Sequence, residues 1–372
     1  MKTDSPNATF VIERGLCHAL YAYDVGSSID LDALRQLIGA GLKDARLEHN
    51  RRVPKYFDYH PAPLAIVQEA QPPDLPGFTV NREVEIQVYD FGSVSFTYRL
   101  PVSGPLETLL DLSCLLNADN PLLADSRQRA ATLLNAIRSA VFRPRLADLV
   151  EDYTVFQIEE VRGPLDPATL HETHGQSLAQ VLRAEHAPLS DQETTDALAC
   201  RLSYERGDVT FIDWNAAIVF DRDADDVRAV LEFANVELLE MRYLDRQLDD
   251  ALDRAYETAM RRRWWRGFVP GRSGANIRKV SQMQLDGALV FERVTNAPKL
   301  LGDQYLARVY RLTSQRFHLP EWNTSALRKL EAIESVYQQM HDTASEHRME
   351  ILEWIIIGLF VLEIVLSFRP SP

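Results

Sequence analysis

The sequence predicts an α+β fold: an antiparallel sheet with flanking helices, followed by a long-helix hairpin or bundle ending in a C-terminal transmembrane helix. Three observations predict it. Residues 83–90 (EVEIQVYD), 94–100 (VSFTYRL) and 150–161 (VEDYTVFQIEEV) alternate apolar and polar side chains at the period of a strand. From Val227, apolar residues recur every three or four positions over about 35 residues, the period of a helix. Residues 351–368 (ILEWIIIGLFVLEIVLSF) form an apolar run whose charges are Glu353 and Glu363. The corresponding division is an α+β domain over 1–222, a helical hairpin or bundle over 223–350 and an anchor over 351–368.

Residues 16–24 (LCHALYAYD) read as a strand, and Ser28 or Asp30 offers an N-cap for a helix through LDALRQLIGAG, closed by Gly39 or Gly41. The stretch from Glu48 to Pro63 reads as loop, 64–68 as a short strand, and PPDLPG as a turn. The strands at 83–90 and 94–100 join at Phe91-Gly92-Ser93 as a tight hairpin. Helices come next over 105–117 and 121–141. After the strand at 150–161, residues 163–175 read as loop, with short helices near 176–185 and 190–199. LSYERGDV and TFIDWNAAIVF then form a second hairpin turning at Gly207-Asp208. The two α/β passages suggest a pseudo-repeat sharing one antiparallel sheet.

In the long helix Val227, Leu231, Ala234, Leu238, Met241, Leu244, Leu248, Leu252, Ala255 and Ala259 make one apolar face. The opposite face is charged, so the helix lies on a partner. Pro270 and the glycines of RGFVPGRSG end it. Helices over 276–295 and 303–317 come next, and a last one from Ser325 runs into the apolar tail.

The chain has 372 residues, 54 acidic and 40 basic, for a net charge of −14, and is 46% hydrophobic. That is ample apolar material for folding and argues against general disorder. Net acidity excludes a protein whose whole surface coats nucleic acid. The charge is polarised: Asp221 to Glu257 carries 12 acids against 5 bases, whereas Arg261 to Lys279 carries 7 bases and no acid. Cys17, Cys114 and Cys200 are too scattered for a disulfide framework or a zinc site, which favours a reducing compartment. No secretory or import leader is read in MKTDSPNATF.

Motifs that imitate chemistry fail on their companions. Asp90-Phe91-Gly92 lacks the other parts of a kinase and reads as the hairpin turn. His171 and His174 lack metalloprotease spacing. Asp221, Asp223, Asp225 and Glu232 imitate a calcium loop, but Asp226 stands where its turn needs glycine. Acids there complement a helix N-terminus. No cofactor or metal is expected.

The basic segment Arg261, Arg262, Arg263, Trp264, Trp265, Arg266, Arg272, Arg278 and Lys279 has three readings. It is a helix C-terminus gathering cations against its dipole, a contact for RNA or the ribosome, or a contact for lipid head groups. The tail is either a buried helix or a membrane anchor. As a helix its 18 residues reach about 27 Å, just under a bilayer core of about 30 Å. Trp354, Ile355, Ile356, Ile357, Leu359 and Phe360 leave no polar stripe, which favours the anchor, with Glu363 inside the membrane at a cost of about 2.5–3.5 kcal/mol unless protonated or partnered. Few residues lie beyond it, so the expectation is a single-pass protein of the cytoplasmic membrane with its N-terminal bulk in the cytoplasm.

EHRMEILEWIIIGLFVLEIVLSF resembles the C-terminus of the required-for-meiotic-nuclear-division family of mitochondria, yeasts and bacteria. ALYAYDVGSSIDLDALRQLI, VYDFGSVSF and LLEMRYLDRQLDDAL are similar to it as well. The resemblance implies a membrane-anchored, non-catalytic homo-oligomer supporting translation, with no catalytic residue to carry over. Missing leader and acidic charge suggest a bacterial member. The expectation is thus a scaffold or tether at the membrane, with the ribosome or RNA as partner of the basic segment. The rival is an enzyme of unknown reaction holding a phosphate-bearing ligand in the α+β domain, where YFDYHPAP offers Tyr56, Asp58, Tyr59 and His60.

Overall fold

The computed structural model describes residues 10–39, 45–47, 61–163, 167–205, 207–264, 303–336, 338 and 356–357. They fall into two units, one containing residues up to Arg242 together with Glu292–Pro320, the other Tyr243–Phe291 together with Glu321–Pro372.

The first unit is α+β. Its strands are β1 (Val11–Asp24), β2 (Ser28–Ile29), β3 (Ala45–Leu47), β4 (Leu64–Glu69), β5 (Glu83–Val88), β6 (Ser93–Pro105), β7 (Val141–Phe142), β8 (Val150–Val161), β9 (Arg201–Leu202), β10 (Val209–Ile212) and β11 (Ala216–Phe220). Nine of these form one sheet in the order β3-β4-β5-β6-β1-β8-β11-β10-β9, while β2 and β7 pair separately. Every pairing in the large sheet is antiparallel except β11 with β8, which is parallel. The shared sheet is thus as expected, but its two passages close differently. β6 returns antiparallel to β1, whereas β11 returns parallel to β8 after an intervening helical crossover, as a parallel return requires.

The two sheet faces have opposite chemistry. Cys17, Ala19, Tyr21 and Tyr23 of β1, Val94, Phe96, Tyr98 and Leu100 of β6, and Phe156 and Ile158 of β8 all join the apolar core. Against that core lie α2 (Leu106–Asn117), α3 (Pro121–Ala136) and α4 (Pro167–Arg183). Its tyrosines end on polar partners: Tyr21 donates to Asn120 at 3.2 Å, Tyr98 to Asp125 at 2.7 Å, and Tyr23 meets Ser126 at 2.7 Å. Asn120 also caps α3 by accepting from the Leu122 and Leu123 amides. The alternate residues Ser93, Ser95, Thr97, Glu85, His18 and Gln157 point the other way and are buried too. Of these, Ser93, Thr97 and Glu85 bond to side chains of α6 (Asp225–Trp264), and Gln157 donates to the Asp221 and Arg222 carbonyls just before it.

Asp30 caps α1 (Leu31–Gly39), accepting from the Asp32 and Ala33 amides at 3.0 Å each, one of the two expected caps. At the β5–β6 turn Gly92 has φ +103°, and its backbone lies so close to Gly26 O that a Cβ would collide with it. Only glycine fits there. Asp-Phe-Gly is accordingly a turn, docked on β1 through the Val25 amide donating to Gly92 O at 2.8 Å.

Four local expectations are corrected. Residues 163–175 are largely helix, since α4 already begins at Pro167, a residue suited to a first turn. The second helix of the expected pair ends at Ala136 rather than 141. TFIDWNAAIVF is two strands rather than one, broken at Asp213-Trp214-Asn215, so β10 hairpins with β11. The last long helix starts near 319 and not at Ser325.

A larger correction concerns the long helix. The charged face opposite the apolar stripe is itself buried in the first half: every residue from Val227 to Leu239 is buried or half-buried. The sheet lies on one side, and α7 (Gln304–Arg316) contacts it on another through Tyr310 and Phe233, whose rings are 6.3 Å apart.

In the second unit, the later half of α6 and the helix over 319–336 (from Glu321) bury Leu244, Leu248, Ala251, Ala255, Ala326, Leu330 and Ile333. Lys329 joins them, pairing with Asp245 at 2.7 Å and Asp249 at 2.6 Å.

Candidate functional site

Two polar constructions stand out in the first unit. The first lies between the sheet and α6. Arg228, Glu232, Asn235 and Arg242 fall on one stripe of the helix, because they stand four, three and seven residues apart. Arg228 donates to Glu85 of β5 at 3.2 Å, and Glu85 also pairs with Arg99 of β6. Thr97 donates to Glu232 at 3.4 Å, Asn235 to the Glu151 carbonyl at 3.3 Å, and Arg242 to the Glu151 carboxylate at 2.5 Å. Ser93 donates to Glu240 at 2.5 Å. From the opposite side, Tyr310 of α7 donates to Glu237 at 2.6 Å. Near the end of this layer sits Asp24, whose carboxyl is pushed up to about 8, by burial first and then by Glu240. Such groups, paired between elements, fix a helix in one register.

The second construction reaches solvent. Asp213, fully buried in the β10–β11 turn, receives two guanidiniums. Arg183, in the last turn of α4, lies 2.6 Å from Oδ2, and Arg316, in the last turn of α7, lies 2.6 Å from Oδ1. Burial raises the Asp213 carboxyl and the Arg316 guanidinium pulls it back. Burial outweighs the two cations, so the carboxyl stands above its ordinary value. The same arginines grip Asp196 of α5 (Asp191–Ala197): Arg183 Nη2 donates to Oδ2 at 2.6 Å, Arg316 Nη2 to Oδ2 at 2.7 Å and Arg316 Nη1 to Oδ1 at 3.3 Å. These bonds, Arg316's first, hold the Asp196 carboxyl below its ordinary range. Glu193 adds a contact to Arg183 at 3.2 Å. The Arg183 guanidinium also lies 5.7 Å from the Trp214 ring centroid, and that indole is 54% exposed. Tyr153 donates to the Asp213 carbonyl at 2.9 Å from beneath. Beside Asp196 an open depression of about 570 Å³ is lined by Asp191, Gln192, Glu193, Thr195 and Ala199.

Sequence reasoning missed this cluster. Arg183 and Arg316 stand where a helix C-terminus attracts a cation in any case. The one signal was Asp213-Trp214-Asn215 interrupting an apolar run, a polar turn signature read through as strand.

Of the expected site residues, Arg261, Arg262, Arg263 and Trp264 form the last turn of α6. Trp265, Arg266, Arg272, Arg278 and Lys279 lie outside the described residues, as do Tyr56, Asp58, Tyr59 and His60. So do Trp354, Ile355, Leu359, Phe360 and Glu363, whereas Ile356 and Ile357 are helical and exposed. Among the described residues no helix is long and apolar enough to cross a membrane. His171 and His174 sit on α4 rather than in a loop, with the His174 ring 5.1 Å from that of Phe10. Among the described residues, no three His, Cys, Asp or Glu side chains gather as metal ligands.

A family model described as "Uncharacterized protein MJ0711, N-terminal domain" matches residues 14–226. That span covers the strands from within β1 to β11 and stops in the first turn of α6. The uncharacterized protein MJ0711 of Methanocaldococcus jannaschii is 24% identical over 225 residues, covering 59% of this chain. The match spans 66% of that relative's own length. No solved structure matches.

Proposed function

Since the chain belongs to the MJ0711 N-terminal-domain family, we propose that its α+β part is the platform of a membrane-anchored, non-catalytic scaffold or tether. One observation carries this reading. α6 is a single 40-residue helix whose first half is fixed by side chains from β5, β6, β8 and α7, and whose last turn opens the basic segment. The arginines and carboxylates of its first half are engaged in holding elements together, as a platform needs. The apolar run at 351–368 supplies the anchor, and the tail's resemblance to the required-for-meiotic-nuclear-division family supports membrane residence, self-association and a link to translation.

The basic segment is the contact for the ribosome or RNA in this reading. Its test is co-sedimentation of the detergent-solubilised full chain with ribosomes at low salt. Reversing charge at Arg261, Arg262, Arg263 and Arg266 together is expected to abolish it, because phosphate contacts add through counterion release. Unchanged sedimentation would reduce the segment to a helix end.

A further inference from the structure

The Asp213 cluster has more cation than its buried half requires. Asp213 lies against both arginines from beneath, and Asp196 and Glu193 supply the remaining carboxylates from the exposed side. The side chains of Arg183 and Arg316 are each 15% exposed, come from different helices, and are held at the back by a carboxylate with no exposure. Their geometry is therefore fixed independently of what sits in front. In front sits Asp196, a half-exposed carboxylate on a helix of seven residues, its Oδ2 shared between both guanidiniums. One side chain thus occupies a seat for two arginines.

We propose that Arg183 and Arg316 form a phosphate-binding seat that Asp196 fills as a built-in surrogate, and that its ligand is a small phosphate ester carrying a flat ring. Phosphate is favoured over carboxylate by simple competition. A free carboxylate offers the same two oxygens as Asp196 and loses to a tethered group of high effective concentration. A phosphate monoester offers three terminal oxygens and close to two charges, matching two guanidinium forks at once. The flat ring is called for by Trp214, whose exposed indole lies next to Arg183 and gives a stacking surface. Ligand entry displaces Asp196 and its neighbour Glu193 together, since both stand on α5 and both contact Arg183. Displacement turns them toward the solvent and leaves Asp213 holding the arginines. This site is independent of the membrane anchor and of the basic segment.

The test is isothermal titration calorimetry of the detergent-solubilised full chain with inorganic phosphate and with phenyl phosphate. Two exposed positions serve as variants, each first checked for an unchanged thermal transition. Asp196→Asn removes the competing charge while keeping the shape, and is expected to tighten phenyl phosphate binding about ten-fold over the unaltered chain. Trp214→Ala is expected to erase the preference for phenyl phosphate over inorganic phosphate while leaving inorganic phosphate bound. Asp196→Asn binding phenyl phosphate no more tightly than the unaltered chain would overturn the surrogate role. Equal preference in Trp214→Ala and the unaltered chain would overturn the stacking of the ring.

Discussion

Asp24 shows how one side chain sets a pH dependence. Its carboxyl is raised to about 8 by burial and by Glu240, against the opposing pull of Arg145 and the Gly26 amide. The folded chain therefore binds this proton more tightly than the unfolded chain. The stabilisation is fully present below about pH 4 and is lost as pH rises through about 8. Asp24→Asn keeps a neutral side chain and escapes that loss. Urea denaturation at about pH 5 and about pH 8 should show the variant gaining on the unaltered chain by roughly 3–4 kcal/mol between the two conditions. Parallel curves in both conditions would show that Asp24 carries no raised proton affinity. At Asp213 burial again raises the carboxyl, but there two guanidiniums at contact distance oppose it.

α6 is where the structure departs most from its sequence. Periodicity located the helix and its apolar stripe, and alternation located β5, β6 and β8, because both depend on neighbouring residues. What periodicity does not encode is that a polar stripe can be buried against a polar sheet face. Ser93, Ser95 and Thr97 alternate with Val94, Phe96 and Tyr98 as if facing water, yet each is nearly inaccessible beneath α6. The pairing of Arg228 with Glu85 spans 143 residues, and Asp213 with Arg316 spans 103, separations that no local pattern reports. Capping, by contrast, is local, and Asp30 was legible. If the polar layer fixes α6, Arg228→Met leaves Glu85 buried with one cation fewer. A loss of roughly 3 kcal/mol is expected from chemical denaturation, in the range for breaking one side of a buried pair. Adding Glu85→Leu should recover only part of it, because the buried carboxylate is gone but Arg99 loses the same partner. A single substitution costing nothing would show that the helix is held by its apolar stripe alone.

At the scale of the whole chain, the family match and the long helix divide the molecule's work. The family span ends as α6 begins, so the α+β part is what the family model covers. The helix, the basic segment and the apolar run beyond that span give this chain its proposed place at a membrane. The acidic average of −14 hides that division, since the shaft of α6 is acidic and its last turn opens seven bases without an acid. The most direct measurement is fractionation of cells expressing the full chain or the chain lacking residues 351–372, followed by extraction at alkaline pH. The full chain should remain in the membrane pellet after extraction, and the shortened chain should appear in the supernatant with its circular dichroism preserved. Identical partitioning of the two would contradict the anchor, and with it the reading of this protein as a membrane tether.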